Sequence, residues 1–135
     1  MLEETYLSII SSKTAALFSA SSKVGSIITD KESKYKDALE FYGKNLGLTF
    51  QIADDTLDYN SELKMFGKEI GKDFFEGKVT LPIILLNQKL SSEEKLILKE
   101  IFEQDTRSKE QFDYVLSWLK NITLSKIVTK KLNTI

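Results

Sequence analysis

The run Gln51-Ile52-Ala53-Asp54-Asp55-Thr56-Leu57-Asp58-Tyr59 sets three carboxylates inside a strongly apolar stretch. Burying an unpaired carboxylate costs several kcal/mol or forces protonation, so such a cluster normally comes with a cation. Projected on a helix at roughly 100° per residue, Leu46, Phe50, Ala53 and Leu57 form one narrow stripe, the expected core face. Gln51, Asp54, Asp55 and Asp58 form a second stripe centred about 110° away. Leu48 and Ile52 cover the remaining face. Asp54 and Asp58 are i,i+4 neighbours and Asp55 and Asp58 are i,i+3 neighbours, so all three can converge on one ion. Oxygen-only donors suit a hard cation, Mg²⁺ before Ca²⁺. An EF-hand reading fails, because Leu57, Asp58 and Tyr59 stand fourth, fifth and sixth from Asp54, and the sixth place of that loop needs a glycine. The plainer reading is an exposed acidic turn or helix end, and the surrounding apolar residues argue against it.

A second set of residues could meet an anion. Phe66 to Lys78 is rich in glycine and lysine, with Lys68, Lys72 and Lys78 as movable point charges. It is not a Walker loop: Gly71 and Gly77 are six apart, and Val79 replaces the hydroxyl residue that coordinates magnesium. Read alone, it could equally be a solvated loop. Lys13-Thr14 lies mid-helix among small residues, where a lysine is ordinarily just solvated.

The whole composition narrows the chemistry. The chain has neither histidine nor cysteine, which removes the commonest general base, thiolate catalysis and zinc sites of the cysteine type. Any catalysis rests on carboxylates, lysines, amides, hydroxyls or a bound metal. A net charge of −1 gives no electrostatic case for nucleic acid or an anionic membrane. No apolar run approaches the length of a transmembrane helix and no signal peptide is evident, so a cytoplasmic location is expected.

The elements that must hold these residues read as all-α. At 135 residues the chain is one domain or part of one. Leu2 to Ile28 is amphipathic at three- and four-residue spacing, and Thr29-Asp30 is a plausible N-cap for the next helix. A long helix follows from about Ser33 to Tyr59, with Gly43 and Gly47 four apart at an expected close helix contact. Each glycine costs roughly 1 kcal/mol of helix stability, so two of them ask for a packing reason. Beyond the loop, Thr80-Leu81-Pro82 opens a short apolar helix. Ser91-Ser92-Glu93-Glu94 opens another through about Glu103, and further helices are expected near Lys109 to Lys120 and Leu124 to Leu132. No alternating strand pattern and no internal repeat are present.

Taken together these motifs resemble the second aspartate-rich region of the trans-polyprenyl diphosphate synthases. The resemblance runs from Gly47 through the Asp54-Asp55-x-x-Asp58 cluster to Phe66-Gly67-Lys68 and then Gly71-Lys72-Asp73-Phe74-Phe75-Glu76-Gly77-Lys78-Val79-Thr80-Leu81-Pro82-Ile83. The helix around Tyr6 and Lys13-Thr14-Ala15-Ala16-Leu17-Phe18 is similar to the one preceding that region, so the match spans residues 4 to 90. The resemblance implies a helical bundle, part of the isoprenoid synthase fold, from a family of mostly homodimeric prenyltransferases. There an allylic diphosphate loses its diphosphate to leave a carbocation. Isopentenyl diphosphate attacks through its double bond, and a proton is lost, with the diphosphate itself able to accept it. By resemblance Asp54, Asp55 and Asp58 form one of two facing Mg²⁺-binding clusters, Asp54 the direct ligand and Asp58 supporting it. Lys13, Lys68 and Lys78 match contacts to the allylic diphosphate, and Thr14 and Gln51 match positions bordering the cation and the diphosphate.

Two departures qualify that picture. The family's first aspartate-rich motif and its following arginines have no counterpart here, and Arg107, the single arginine, stands in the wrong context to replace them. The family's last helices also extend past the place matched by Ile135. The expectation is therefore the C-terminal portion of a synthase, active with a complementary N-terminal half. The alternatives are a non-catalytic helical subunit of a full-length synthase and an inert remnant exposing an uncovered apolar face. Product length is governed near the first motif and is not written in this sequence.

Overall fold

The computed structural model describes residues 1–29, 32–60 and 69–122. Its helices are α1 (Glu3–Ile10), a π-helical turn (Ser11–Ala15), α2 (Ala16–Ile28), α3 (Ser33–Leu57), α4 (Lys72–Phe75), α5 (Leu81–Lys89), α6 (Ser92–Glu103) and α7 (Lys109–Asn121). No strand occurs among the described residues, and the all-α expectation holds. The helix expected over Leu124 to Leu132 lies outside the described residues, as does Asp30 of the expected cap. No helix among the described residues is long and apolar enough to cross a membrane. The chain divides into two compact units, Leu2–Ala53 and Asp54–Thr134.

In the first unit α2 and α3 run antiparallel, and the two glycines explain how closely. A Cβ on Gly47 would sit 2.7 Å from the Ala15 Cα, and one on Gly43 would meet the Phe18 carbonyl oxygen and the Ser22 hydroxyl. The cost of two helical glycines is thus offset by backbone-to-backbone approach. The Ser19 hydroxyl donates to the Glu40 carbonyl at 3.1 Å, and Lys23 pairs with the Glu40 carboxylate at 2.5 Å. That pairing raises the Lys23 pKa, through the hydrogen bond first and the charge of Glu40 second. Phe18 and Phe50 approach with ring centroids 5.7 Å apart.

This glycine face corrects the expected core stripe. Leu46, Phe50 and Leu57 are 43, 56 and 39% exposed, and Ala53 is half-buried. Ile52 is fully buried and Leu48 half-buried. Ranking faces by side-chain hydrophobicity misses that the smallest residues admit the nearest neighbour. Leu46, Phe50 and Leu57 of α3 therefore point outward, joined by exposed Tyr35, Leu39, Phe41 and Tyr42.

The second unit has a conventional apolar core. Phe74 is fully buried, with its ring centroid 5.5 Å from Phe102 and 5.2 Å from Phe112. Tyr59, Ile70, Ile83, Leu86, Val115 and Leu119 complete the centre of this cluster. Leu81 to Leu86 of α5 are all buried, as expected of a helix apolar on every face. Pro82 falls in the first turn, where its missing N–H costs nothing. α6 opens with a capping box: the Glu94 amide donates to the Ser91 hydroxyl, and the Ser91 amide donates to the Glu94 carboxylate at 2.8 Å. α7 repeats the device with Ser108 and Gln111, a pairing within plain reach of the sequence but not expected from it.

Candidate functional site

The predicted site residues fall into groups on different elements. Lys13 and Thr14 lie in the π-helical turn that interrupts the N-terminal helix at Ser11–Ala15. Such single-turn insertions widen a helix locally and recur at functional sites. Here the insertion sits against the glycine-lined stretch of α3, where Ala15 is fully buried and faces Gly47. The Thr14 hydroxyl donates to the Gln51 side-chain carbonyl at 2.8 Å, so two residues distant in sequence are brought together. The bond uses the Gln51 oxygen as acceptor and orients its amide. Lys13 is exposed on the same turn.

The aspartates sit at the C-terminal end of α3 and diverge. Asp54 is exposed, and its side chain makes no hydrogen bond or ion pair with another described residue. Asp55 is buried, and it has interacting partners. Asp58 turns onto the following loop: one carboxylate oxygen accepts the amides of Gly71 at 3.2 Å and Lys72 at 3.1 Å, and the other accepts that of Asp73 at 2.9 Å. The Gly71 amide also reaches the Asp58 backbone carbonyl at 2.8 Å. Burial pushes the Asp58 carboxyl up from its ordinary value, with the neighbouring Asp73 charge adding and the three amides opposing. The Tyr59 phenol beside it is pushed up by burial and by the Asp58 and Asp73 charges.

Convergence of all three carboxylates on one ion is therefore not what the structure shows. No group of three acidic side chains placed to hold a metal occurs among the described residues. The helical projection treated the three as equivalent, whereas the chain leaves the helix at Leu57 and recruits Asp58 as the acceptor for a new turn. The remaining donor chemistry still fits a hard divalent cation. Mg²⁺ is ordinarily held by one or two carboxylates completed by water and substrate phosphate, and Asp54 offers one such exposed carboxylate.

The loop itself contains a short helix that periodicity could not announce. Gly71 enters it at φ 86°, a left-handed conformation natural to glycine, and Lys72–Phe75 form one turn. Lys78 ends the loop exposed, its Nζ 3.2 Å from Asp73 and 2.5 Å from Glu76. The Glu76 and Asp73 hydrogen bonds raise its pKa, so it stays cationic but already paired. Lys68 lies outside the described residues.

Sequence reasoning missed Arg107 and Asp73. The Arg107 guanidinium donates to the carbonyls of Phe75 at 3.2 Å, Phe102 at 3.0 Å and Gln104 at 2.9 Å. It occupies the space a side chain on Gly77 would need, and Gly77 has φ 73°. The signal available was a lone arginine in a lysine-dominated chain. A cavity of about 410 Å³ lined by apolar Ile83, Ile84 and Phe102 and by polar Asn87, Lys95 and Glu103, among others, includes none of the predicted site residues.

An all-α chain with an aspartate-ended helix and a glycine–lysine loop anchored to it defines a class as well as a geometry. The chain belongs to the polyprenyl synthetase family, whose profile matches residues 1–119. It is 35% identical over 115 residues to the octaprenyl diphosphate synthase of Haemophilus influenzae, covering 85% of this chain and 35% of that protein. It is 38% identical over 117 residues to a short chain isoprenyl diphosphate synthase of Methanocaldococcus jannaschii, covering 87% of this chain and 36% of the relative. The chain thus spans about a third of the length of these curated relatives. The fold matches a polyprenyl synthase of Caulobacter crescentus, solved with calcium and isoprenyl diphosphate. The TM-score is 0.89 and the identity 31%, over 99% of this chain and 41% of that one.

Proposed function

We propose that this chain supplies the second aspartate-rich arm of a polyprenyl diphosphate synthase that condenses an allylic diphosphate with isopentenyl diphosphate. The observation that carries the reading is the pairing of an exposed Asp54 with a lysine-bearing loop tied to the same helix end through Asp58. A diphosphate leaving group needs charge neutralisation and positioning more than covalent help. When bound, Mg²⁺ supplies that neutralisation.

Asp54 is assigned as the direct ligand, and Asp55 supports it from its buried position beside Asp54 in the sequence. Lys13, Lys68 and Lys78 are assigned to diphosphate contact, with Lys78 exchanging its pairing to Glu76 for the ligand. Thr14 and Gln51, joined by their hydrogen bond, are assigned to the edge of the reacting groups. The calcium and isoprenyl diphosphate in the Caulobacter crescentus structure support a divalent cation acting with a diphosphate in this family.

The reaction needs the region of a synthase that lies outside the third these residues span, supplied by a complementary N-terminal half within a homodimer-like assembly. The exposed aromatic and aliphatic face of α3 is what such an assembly would cover. The same face supports a second reading, a helical subunit that associates with a complete synthase without contributing chemistry.

Calorimetric titration with inorganic pyrophosphate tests the binding claim. Saturable binding that requires Mg²⁺ and is lost in Asp54→Asn is expected. Metal-independent binding, or binding indifferent to Asp54→Asn, contradicts it.

A further inference from the structure

Three observations outside the metal assignment concern one short segment, Gly71 to Lys78. Its entry is held by Asp58, both of whose carboxylate oxygens are occupied by the amides of Gly71, Lys72 and Asp73. Its exit is held by Arg107, which binds the Phe75 carbonyl while gripping the C-terminal end of α6 through the carbonyls of Phe102 and Gln104. Between them Phe74 is fully buried, and the Lys78 amide closes the segment on the Asp73 carbonyl at 2.8 Å. Left-handed glycines mark both ends: at Gly71 a side chain would strike the Phe112 ring, and at Gly77 it would strike the Arg107 guanidinium.

We infer that Asp58 and Arg107 are positioning residues that clamp the Gly71–Lys78 loop from opposite ends, and that Asp58 serves the diphosphate site through this loop instead of as a metal ligand. A carboxylate offers about four acceptor sites, and backbone amides take three of those on Asp58, with both oxygens engaged. The planar fork of arginine suits Arg107 to bridging carbonyls from two connections at once, which a lysine cannot reproduce. The clamp fixes where Lys72 and Lys78 leave the backbone, so a diphosphate meets a loop already ordered and little ordering entropy is lost on binding. This inference rests on the proposed diphosphate reading only for the ligand, not for the clamp.

The test uses the full chain, following amide hydrogen exchange by NMR alongside calorimetry with Mg²⁺ and inorganic pyrophosphate. Asp58→Asn is expected to speed exchange at Lys72 and Asp73 by roughly tenfold or more, leaving Val115 and Leu116 in α7 unchanged. Arg107→Lys is expected to do the same at Gly77 and Lys78. Both variants weaken Mg²⁺-pyrophosphate binding, whereas Asp54→Asn abolishes it with loop exchange unaltered. The clamp is overturned if Asp58→Asn leaves exchange at Lys72 and Asp73 unchanged while removing metal-dependent binding, as a direct ligand would. It is overturned equally if Arg107→Lys leaves Gly77 and Lys78 as protected as before. Should Asp58→Asn fail to fold, Arg107→Lys decides by the same exchange readout. A wild-type chain that binds no pyrophosphate refutes the diphosphate reading alone, since exchange still reports the clamp.

Discussion

Asp58 accepts the backbone amide of Asp73 at 2.9 Å, joining the end of α3 to the first turn of α4 across fifteen residues of sequence. A side chain that looks like the third member of a metal cluster is, in the folded chain, the cap of the loop that follows. That arrangement separates Asp54, exposed, from Asp58, held to backbone amides.

Removing the cap has a thermodynamic cost apart from any ligand. Asp58→Ala leaves the Lys72 and Asp73 amides without their acceptor, while Gly71 keeps the Asp58 backbone carbonyl, and a loss of about 2 kcal/mol is expected, at the upper end for N-cap truncations. Urea unfolding followed by circular dichroism measures it. A change within about 0.5 kcal/mol would mean that solvent replaces the carboxylate without penalty.

The close approach of α2 and α3 makes a second expectation. Alanine is favoured over glycine in a helix by about 1 kcal/mol, so Gly47→Ala would stabilise an isolated α3. In the folded chain the new Cβ meets the Ala15 Cα at 2.7 Å, and backbone yields poorly. A net destabilisation of about 1–3 kcal/mol is expected from thermal melts. A raised melting temperature would show that the helices separate without cost.

How much of this was legible in the sequence depends on what each signal measures. Helix positions were readable because caps are local chemistry: Ser91 with Glu94 announces α6, and Pro82 announces α5. Gly43 and Gly47 correctly marked a contact, yet the same reasoning placed Leu46, Phe50 and Leu57 in a core they do not occupy. Periodicity reports that a face is apolar, not which neighbour the chain provides for it. The Thr14–Gln51 hydrogen bond was anticipated only as a shared neighbourhood, implied by resemblance. The part Arg107 plays and the single turn of α4 were not readable, since both depend on left-handed glycines and backbone carbonyls that no side-chain pattern encodes.

The aromatic centre of the second unit supports the loop from beneath. Phe74→Ala removes a fully buried ring that meets Phe102 edge-on, and about 3–5 kcal/mol of stability is expected to go with it. Denaturant unfolding measures the loss. A loss below about 1 kcal/mol would show that the surrounding rings close the gap.

Glu94 provides the pH dependence. Its pKa is lowered, first by the Ser91 backbone hydrogen bond and then by the Ser91 side chain. A carboxylate with a depressed folded-state pKa contributes stability that is present above its unfolded pKa and lost as pH falls through the folded value. Melting temperature is therefore expected to fall below the ordinary carboxylate range, and Glu94→Gln, which keeps the capping geometry without titrating, is expected to flatten part of that fall. An identical pH profile in the variant would remove Glu94 from the account.

The most direct measurement mixes the folded chain with the N-terminal region of a relative such as the Haemophilus influenzae octaprenyl diphosphate synthase. Mg²⁺, farnesyl diphosphate and radiolabelled isopentenyl diphosphate complete the assay. Elongated prenyl diphosphates are expected from the mixture, with turnover lowered roughly a hundredfold or more by Asp54→Asn in this chain. No elongation from two folded partners that associate, or turnover unchanged by Asp54→Asn, would contradict the assignment of this chain to the chemistry of the synthase.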